Sequence, residues 1–129
     1  MFEIIFMMKI EVNNKKIEVW PNDADEMMFW DEATEFCANL EGGWRLPSAD
    51  ELKYFHSELY LKNVGEFEKE GYYWSSSEFD VDPNITVWRK AWAFVFYDQL
   101  QSYALAKHGS SAFDVPYKFR VRPVRDIDE

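Results

Sequence analysis

Cysteine is almost missing from this chain. Cys37 is the only one, so no intramolecular disulfide can form and nothing ties folding to an oxidising compartment. A reducing cytoplasm is the expected location. Histidine is nearly as scarce: His56 and His108 lie far apart, and neither has a second ligand at metal spacing. Transition-metal sites usually draw on three or four ligands, so no metal or other cofactor is expected. Basic residues are outnumbered, 14 against 24 acidic, for a net charge of −10. A field of that sign repels phosphate backbones and anionic membrane surfaces, which removes nucleic acid and membrane from the expected partners. No apolar run approaches the roughly 18–20 residues needed to span a bilayer. At the N-terminus Glu3 stands where a signal peptide would carry basic residues, and no small-residue cleavage site follows. Met7 and Met8 are alternative starts, and residues 1–7 read as extra N-terminal sequence.

What is abundant is aromatic and apolar side chain: 47% of the 129 residues are hydrophobic and 19% aromatic, too much for a disordered chain. The length fits one domain over 1–129, able to bury roughly two-thirds of its unfolded surface. The acidity is uneven. Residues 1–58 carry 5 basic and 13 acidic side chains, whereas 59–129 carry 9 and 11. No internal repeat or low-complexity tract is present.

Ile10-Glu11-Val12 and Ile17-Glu18-Val19 alternate around a polar Asn13-Asn14-Lys15-Lys16 turn, the pattern of a hairpin. Apolar residues at 29, 33, 36, 37 and 40 predict an amphipathic helix over about 29–40, with acidic first turns and Gly42-Gly43 to end it. Ser48-Ala49-Asp50-Glu51 after Pro47 is a capping box, followed by a buried stripe of Leu52, Phe55 and Leu59. The second half is rich in aromatic and small residues. Strands are predicted at 72–77, 91–96, 100–106 and 118–122, separated by two long polar connections, about 78–90 and 107–116. Trp30, Trp44, Leu46, Trp74, Trp92 and Phe94 are the expected core.

Several groups suggest chemistry, and each has a plainer explanation. Cys37 shares a helix face with Ala33, Phe36 and Leu40 and reads as a buried thiol. Glu78, Asp80, Asp82 and Asn84 offer hard oxygen donors within one loop, but lack the glycine and terminal glutamate of an EF-hand, so a solvated acidic loop is preferred. Ser75-Ser76-Ser77 has no glycine elbow and reads as strand-end serines. Lys118, Arg120, Arg122 and Arg125 form a basic stripe, read as internal ion pairing or a solvated face ahead of anion binding. Trp88, Trp92, Tyr97 and Tyr103 could stack on sugar rings; core packing takes Trp92, while Trp88 beside Arg89 and Lys90 is expected at the surface.

Taken in order, Met28-Phe29-Trp30-Asp31-Glu32-Ala33, Gly43-Trp44-Arg45-Leu46-Pro47-Ser48, Tyr73-Trp74-Ser75-Ser76-Ser77-Glu78, Ala91-Trp92-Ala93-Phe94 and Val121-Arg122-Pro123-Val124-Arg125 resemble the Fibrobacter succinogenes major paralogous domain family, related to the C-terminal domain of the Legionella collagen-like protein. The resemblance covers about residues 19–126. It implies an α+β, C-type-lectin-like fold: two helices packed on a twisted antiparallel sheet with long irregular loops, the last strand returning beside the first. The helix that begins near Trp30 has Phe29 where relatives commonly carry a threonine cap, which turns attention to Asp25. Asp82-Pro83-Asn84 is similar to the tripeptide of calcium-dependent sugar lectins, without the downstream Trp-Asn-Asp that accompanies it there. Glycine-generating oxidases of the wider fold need two reactive cysteines, which Cys37 alone does not supply.

The resulting expectation is a non-enzymatic binding module with no catalytic residues. It would engage a protein or glycan through loops 78–90 and 97–115, with Trp88 and Tyr103 as stacking surfaces and Glu78, Asp80, Asp82, Arg89 and Asp98 as polar selectors. The competing readings are a metal- or carboxylate-dependent hydrolase centred on Asp80, Asp82 and Asp98, or a structural subunit of an oligomeric or phage-like assembly.

Overall fold

The computed structural model describes residues 7–79, 90–97, 99–106 and 118–127, with positions 78, 79, 90 and 101–106 described by backbone alone. The architecture is α+β. Strands β1 (Met8–Val12) and β2 (Lys15–Val19) are followed by α1 (Trp30–Asn39) and α2 (Ala49–Tyr54), then β3 (Tyr72–Phe79), β4 (Lys90–Phe96), β5 (Leu100–Ala106) and β6 (Val124–Asp126). They form two antiparallel three-stranded sheets, β1-β2-β6 and β3-β4-β5. The last strand therefore returns to the N-terminal sheet, but beside β2 and not beside the first strand.

The hairpin turns on Asn13 and Asn14 alone, at φ of 51° and 66°, leaving Lys15 and Lys16 in β2. Two consecutive left-handed residues give the turn whose twist matches the strands it joins, and asparagine tolerates that conformation better than most side chains. Alternation then buries Val12, Ile17 and Val19 and leaves Lys9 and Glu11 exposed.

Helix α1 presents Ala33 and Cys37 to the interior. Its N-terminus is closed by Glu32, whose Oε1 accepts from the Phe29 N–H at 3.1 Å, so the cap is Glu32 and not Asp25. Helix α2 starts as its sequence predicts. Ser48 Oγ accepts from Glu51 N at 3.2 Å, and Glu51 Oε1 accepts from Ser48 N at 2.7 Å. Two backbone donors that the helix cannot satisfy internally are thereby paired. Ser48→Ala is expected to cost about 1 kcal/mol in urea unfolding, the usual cost of losing such a cap. The helix then widens into a π-helical turn over Phe55–Leu59 and tightens into a 3-10 turn over Tyr60–Lys62, ended by Asn63 at φ 57°. That path keeps Leu52, Phe55 and Leu59 buried together.

Residues 118–122 do not form the predicted strand. Phe119 bridges Met28, Arg120 bridges Tyr73 in β3, and regular pairing begins only at Val124, against Val19 of β2. Two features stop a strand from forming there. Pro123 has no N–H to donate, and the chain is drawn to successive neighbours: Ala24 N donates to Val121 O, Trp20 N to Pro123 O and Arg45 N to Val124 O. This segment thus joins both sheets and both helix approaches.

One cluster of buried residues, including Val19, Leu52, Phe55, Tyr73, Phe94, Phe96 and Val124, takes members from both sheets and from α2. A second gathers Ala33, Cys37, Leu46, Trp74, Ala91, Ala93, Phe119 and Val121 around α1. Trp44, Leu46, Trp74 and Phe94 are buried as expected. Trp30 and Trp92 are only partly buried, because each sits at the margin of its cluster.

Candidate functional site

Register decides where the two long connections leave the fold. Phe79 of β3 pairs with Lys90 of β4, and Lys90 pairs with Ala106 of β5. The end of β3, the start of β4 and the end of β5 therefore lie side by side, so the connections 80–89 and 107–117 both depart from one end of the same sheet. Of the candidate binding residues, Glu78 lies in β3 opposite Ala91 and Tyr103 lies in β5 opposite Ala93, both on strands and not in loops. Asp80, Asp82, Trp88, Arg89 and Asp98 lie outside the described residues, as does His108.

The sheet carrying these ends is fixed at its serines. Between the pairs Trp74–Ala93 and Glu78–Ala91, β4 has the single residue Trp92 where β3 has Ser75-Ser76-Ser77, so the serines form a bulge. The bulge docks both helices. Trp30 Nε1, at the first residue of α1, donates to Ser75 O at 2.9 Å, and Ala49 N, at the first residue of α2, donates to Ser77 Oγ at 3.0 Å. Ser76 N reaches Pro47 O at 2.8 Å, and Ser75 Oγ donates to Trp92 O at 2.7 Å. These serines are structural fasteners. His56 is another. Its Nε2 lies 2.6 Å from the Tyr97 carbonyl, which can only accept, so Nε2 carries the proton and the ring holds the turn between β4 and β5.

The basic stripe resolves into internal pairs. Arg122 is fully buried and uses all five donors: Nε and Nη2 on Asp23 Oδ1 at 3.0 and 2.8 Å, Nη1 on the Trp20 and Gly65 carbonyls, and Nη2 again on the Glu66 carbonyl. Its guanidinium lies 4.0 Å from the Phe67 ring centroid. The other oxygen of Asp23 accepts from the Tyr73 hydroxyl at 2.8 Å and faces Arg120 at 3.9 Å. Burial, reinforced by Asp23, pushes the Tyr73 phenol above its ordinary range, so it stays a donor. Arg125 pairs with Glu18 at 2.8 Å and lies over Trp44, while Lys118 lies over Phe29.

Arg45 organises a second cluster at a surface depression of about 300 Å³ lined by Asn13, Lys15, Ser48, Asp50, Ser76 and Asp126 among others. Its guanidinium grips Glu51 with two hydrogen bonds, 2.7 and 2.9 Å, and reaches Asp126 at 2.8 Å. The depression draws on the β1–β2 turn, the entrance to α2, the β3 bulge and β6. No local sequence pattern announces it beyond the Ser48 capping box. Burial would raise the Glu51 carboxyl, but hydrogen bonds from Arg45 and Ser48 outweigh it and hold the group below its ordinary 4.5. Asp126 is lowered chiefly by its hydrogen bond from Arg45. A carboxylate depressed on folding adds stability that is in place above the unfolded value and disappears as pH falls through the folded one. Glu51→Gln should therefore flatten the decline of melting temperature with acidification below about pH 4.5. An acid limb identical to that of the parent chain would show that this pair is not coupled to folding.

Cys37 is buried, and that burial pushes its thiol up to about 12, so at neutral pH it is protonated in the folded chain. Among the described residues, no three His, Cys, Asp or Glu side chains converge as a metal site would require. Nor is any helix among them long and apolar enough to cross a membrane. No family model matches the chain, and no curated protein or solved structure matches it either.

Proposed function

We propose that this chain is a non-enzymatic binding module of C-type-lectin-like design, related to the Fibrobacter major paralogous domains. In this reading it engages a protein or glycan through the two long connections at one end of the β3-β4-β5 sheet. The supporting observation is the row Phe79, Lys90 and Ala106, which brings the roots of both connections together on a braced sheet. Recognition residues work best when loops are carried by rigid elements, because less ordering entropy is then lost on binding. The candidate contacts are Trp88 and Tyr103 for stacking, with Glu78, Asp80, Asp82 and Arg89 for polar selection; Asp98 belongs to the connection after Phe96, whose pair with Leu100 closes the opposite end of the sheet, and is not among them.

The interior polar groups favour binding over catalysis. Asp23, Glu51, Arg45 and Arg122 are each held in short, fixed pairs by the fold itself. The buried thiol and the acidic net charge fit a cytoplasmic module whose ligand is neither nucleic acid nor membrane. The test is a panel of immobilised glycans and candidate proteins probed with the parent chain, followed by Trp88→Ala and Tyr103→Ala on whatever binds. The proposal expects an affinity loss of about tenfold or more for Trp88→Ala at unchanged melting temperature, as for an interface anchor. Binding that survives both substitutions, or a panel blank throughout, would contradict it.

A further inference from the structure

We infer that the depression beside Arg45 is a binding site for a neutral, hydroxyl-rich ligand of the size of one sugar ring. Its volume of about 300 Å³ falls at the lower end of small-molecule sites, roughly 300–1,000 Å³. The floor is built by the fold. The Glu51 side chain is only 7% exposed and is held by two nitrogens of Arg45 and by Ser48 N. Arg45 in turn commits four of its five N–H groups, to Leu46 O at 3.1 Å, to both Glu51 oxygens and to Asp126 Oδ1. A floor ordered in this way before anything binds leaves less entropy to be lost on binding.

The groups around that floor are uncommitted. Among the described residues, the Asn13 amide, the Lys15 ammonium, the Asp50 carboxylate and the Ser76 hydroxyl take no hydrogen-bond or ion-pair partner. Asp126 keeps its second oxygen, and Lys15 acts on that carboxylate only at longer range. Donors and acceptors from the β1–β2 turn, α2, the β3 bulge and β6 therefore meet at one opening. Val12 is the one apolar side chain in the described lining, so polar contacts must carry recognition. The charges decide the ligand class. Arg45 and Lys15 stand among Asp50, Glu51 and Asp126, so a simple anion meets three carboxylates and a simple cation meets two positive groups. A zwitterion must bring two charges out of water. A hydroxyl donates once and accepts as well, so a ring carrying several serves the carboxylates, the amide and the ammonium together, with no charge of its own to desolvate. The described lining lies outside the two long connections, so this inference stands apart from the reading above.

The test titrates the full chain with glucose, galactose, mannose and N-acetylglucosamine, and separately with glycine as a zwitterion, following backbone amides by NMR. At least one sugar should shift the amides of Asn13, Lys15, Asp50 and Asp126 along a single saturating curve, and glycine should not. Lys15→Ala and Asp50→Ala, both at exposed positions, should each weaken that binding by about tenfold or more at unchanged melting temperature, through loss of a hydrogen bond to a charged group. Asn13→Gly removes the amide and suits the left-handed turn at φ 51°, so it should weaken binding with the hairpin intact. The shift map of the unaltered chain needs no variant. Four sugars that leave these amides unmoved, or glycine moving them where no sugar does, would overturn the inference. So would shifts confined to residues 72–79 and 90–96, which would place the sugar at the long connections, or an affinity that none of the three substitutions changes.

Discussion

Arg122→Met is expected to lower stability by about 3–5 kcal/mol in urea unfolding, the cost of breaking a buried pair from one side. The side chain is fully enclosed, and its removal leaves the Asp23 carboxylate, itself only 11% exposed, without its two-point partner. It also strips the Trp20, Gly65 and Glu66 carbonyls of the donors they share. Methionine is similarly long and apolar, so the loss reports on the polar contacts more than on a cavity. Arg122→Lys keeps the charge but offers three donors from one point where five are used in a planar fork, so it should recover only part of the loss. Pairing Arg122→Met with Asp23→Asn removes the stranded charge. That double variant should be more stable than Arg122→Met alone, and strict additivity would argue against direct coupling. Parent-like unfolding of Arg122→Met would show that the network is incidental.

Trp74→Ala should cost about 3–5 kcal/mol, the range for deleting a large aromatic side chain from a core. Trp74 has no exposed surface, lies 4.8 Å from the Phe119 ring between centroids, and donates Nε1 to Met28 O at 2.8 Å. It therefore links β3 to the approach of α1 and to the returning C-terminal segment. Trp74→Phe keeps much of the packing and forfeits the hydrogen bond, so a loss nearer 1–2 kcal/mol is expected. Equal losses for the two substitutions, measured by urea unfolding, would place the energy in the N–H and not in the ring.

The contrast between these residues explains what the sequence discloses. Features coded by near neighbours are legible: the Asn13-Asn14 hairpin, the Ser48 capping box, the apolar stripe of Leu52, Phe55 and Leu59, and the Cys37 face. Each depends on periodicity or on a hydrogen bond spanning a few residues. Arg122 is only half legible, for the opposite reason. The alternating Lys-Phe-Arg-Val-Arg run suggests internal ion pairing or a solvated face without choosing between them, and its partner Asp23 is 99 positions away with nothing local to link them. The missed strand follows from the same fact, since residues 118–122 serve several partners in turn and no single neighbour long enough to form a ladder. The serine triplet is visible in the sequence, but its role is not, because a bulge is defined by the strand it faces. The Arg45 depression is hidden likewise, being assembled from four separate segments. For the candidate binding residues, the sequence marks two long polar connections, and the structure adds that both leave the same end of one sheet.

The central claim is that the two small sheets are one cooperative body, joined by the 118–126 segment and by the pairing of Arg122 with Asp23. Hydrogen exchange of the native full chain, read peptide by peptide by mass spectrometry, tests it most directly. Peptides covering 15–19, 72–77, 91–96 and 121–126 should open with one common free energy, equal to that of global unfolding. If 15–19 and 121–126 open more easily than 72–77 and 91–96 by about 1.4 kcal/mol or more, a tenfold difference in population, the sheets unfold separately and the claim is wrong.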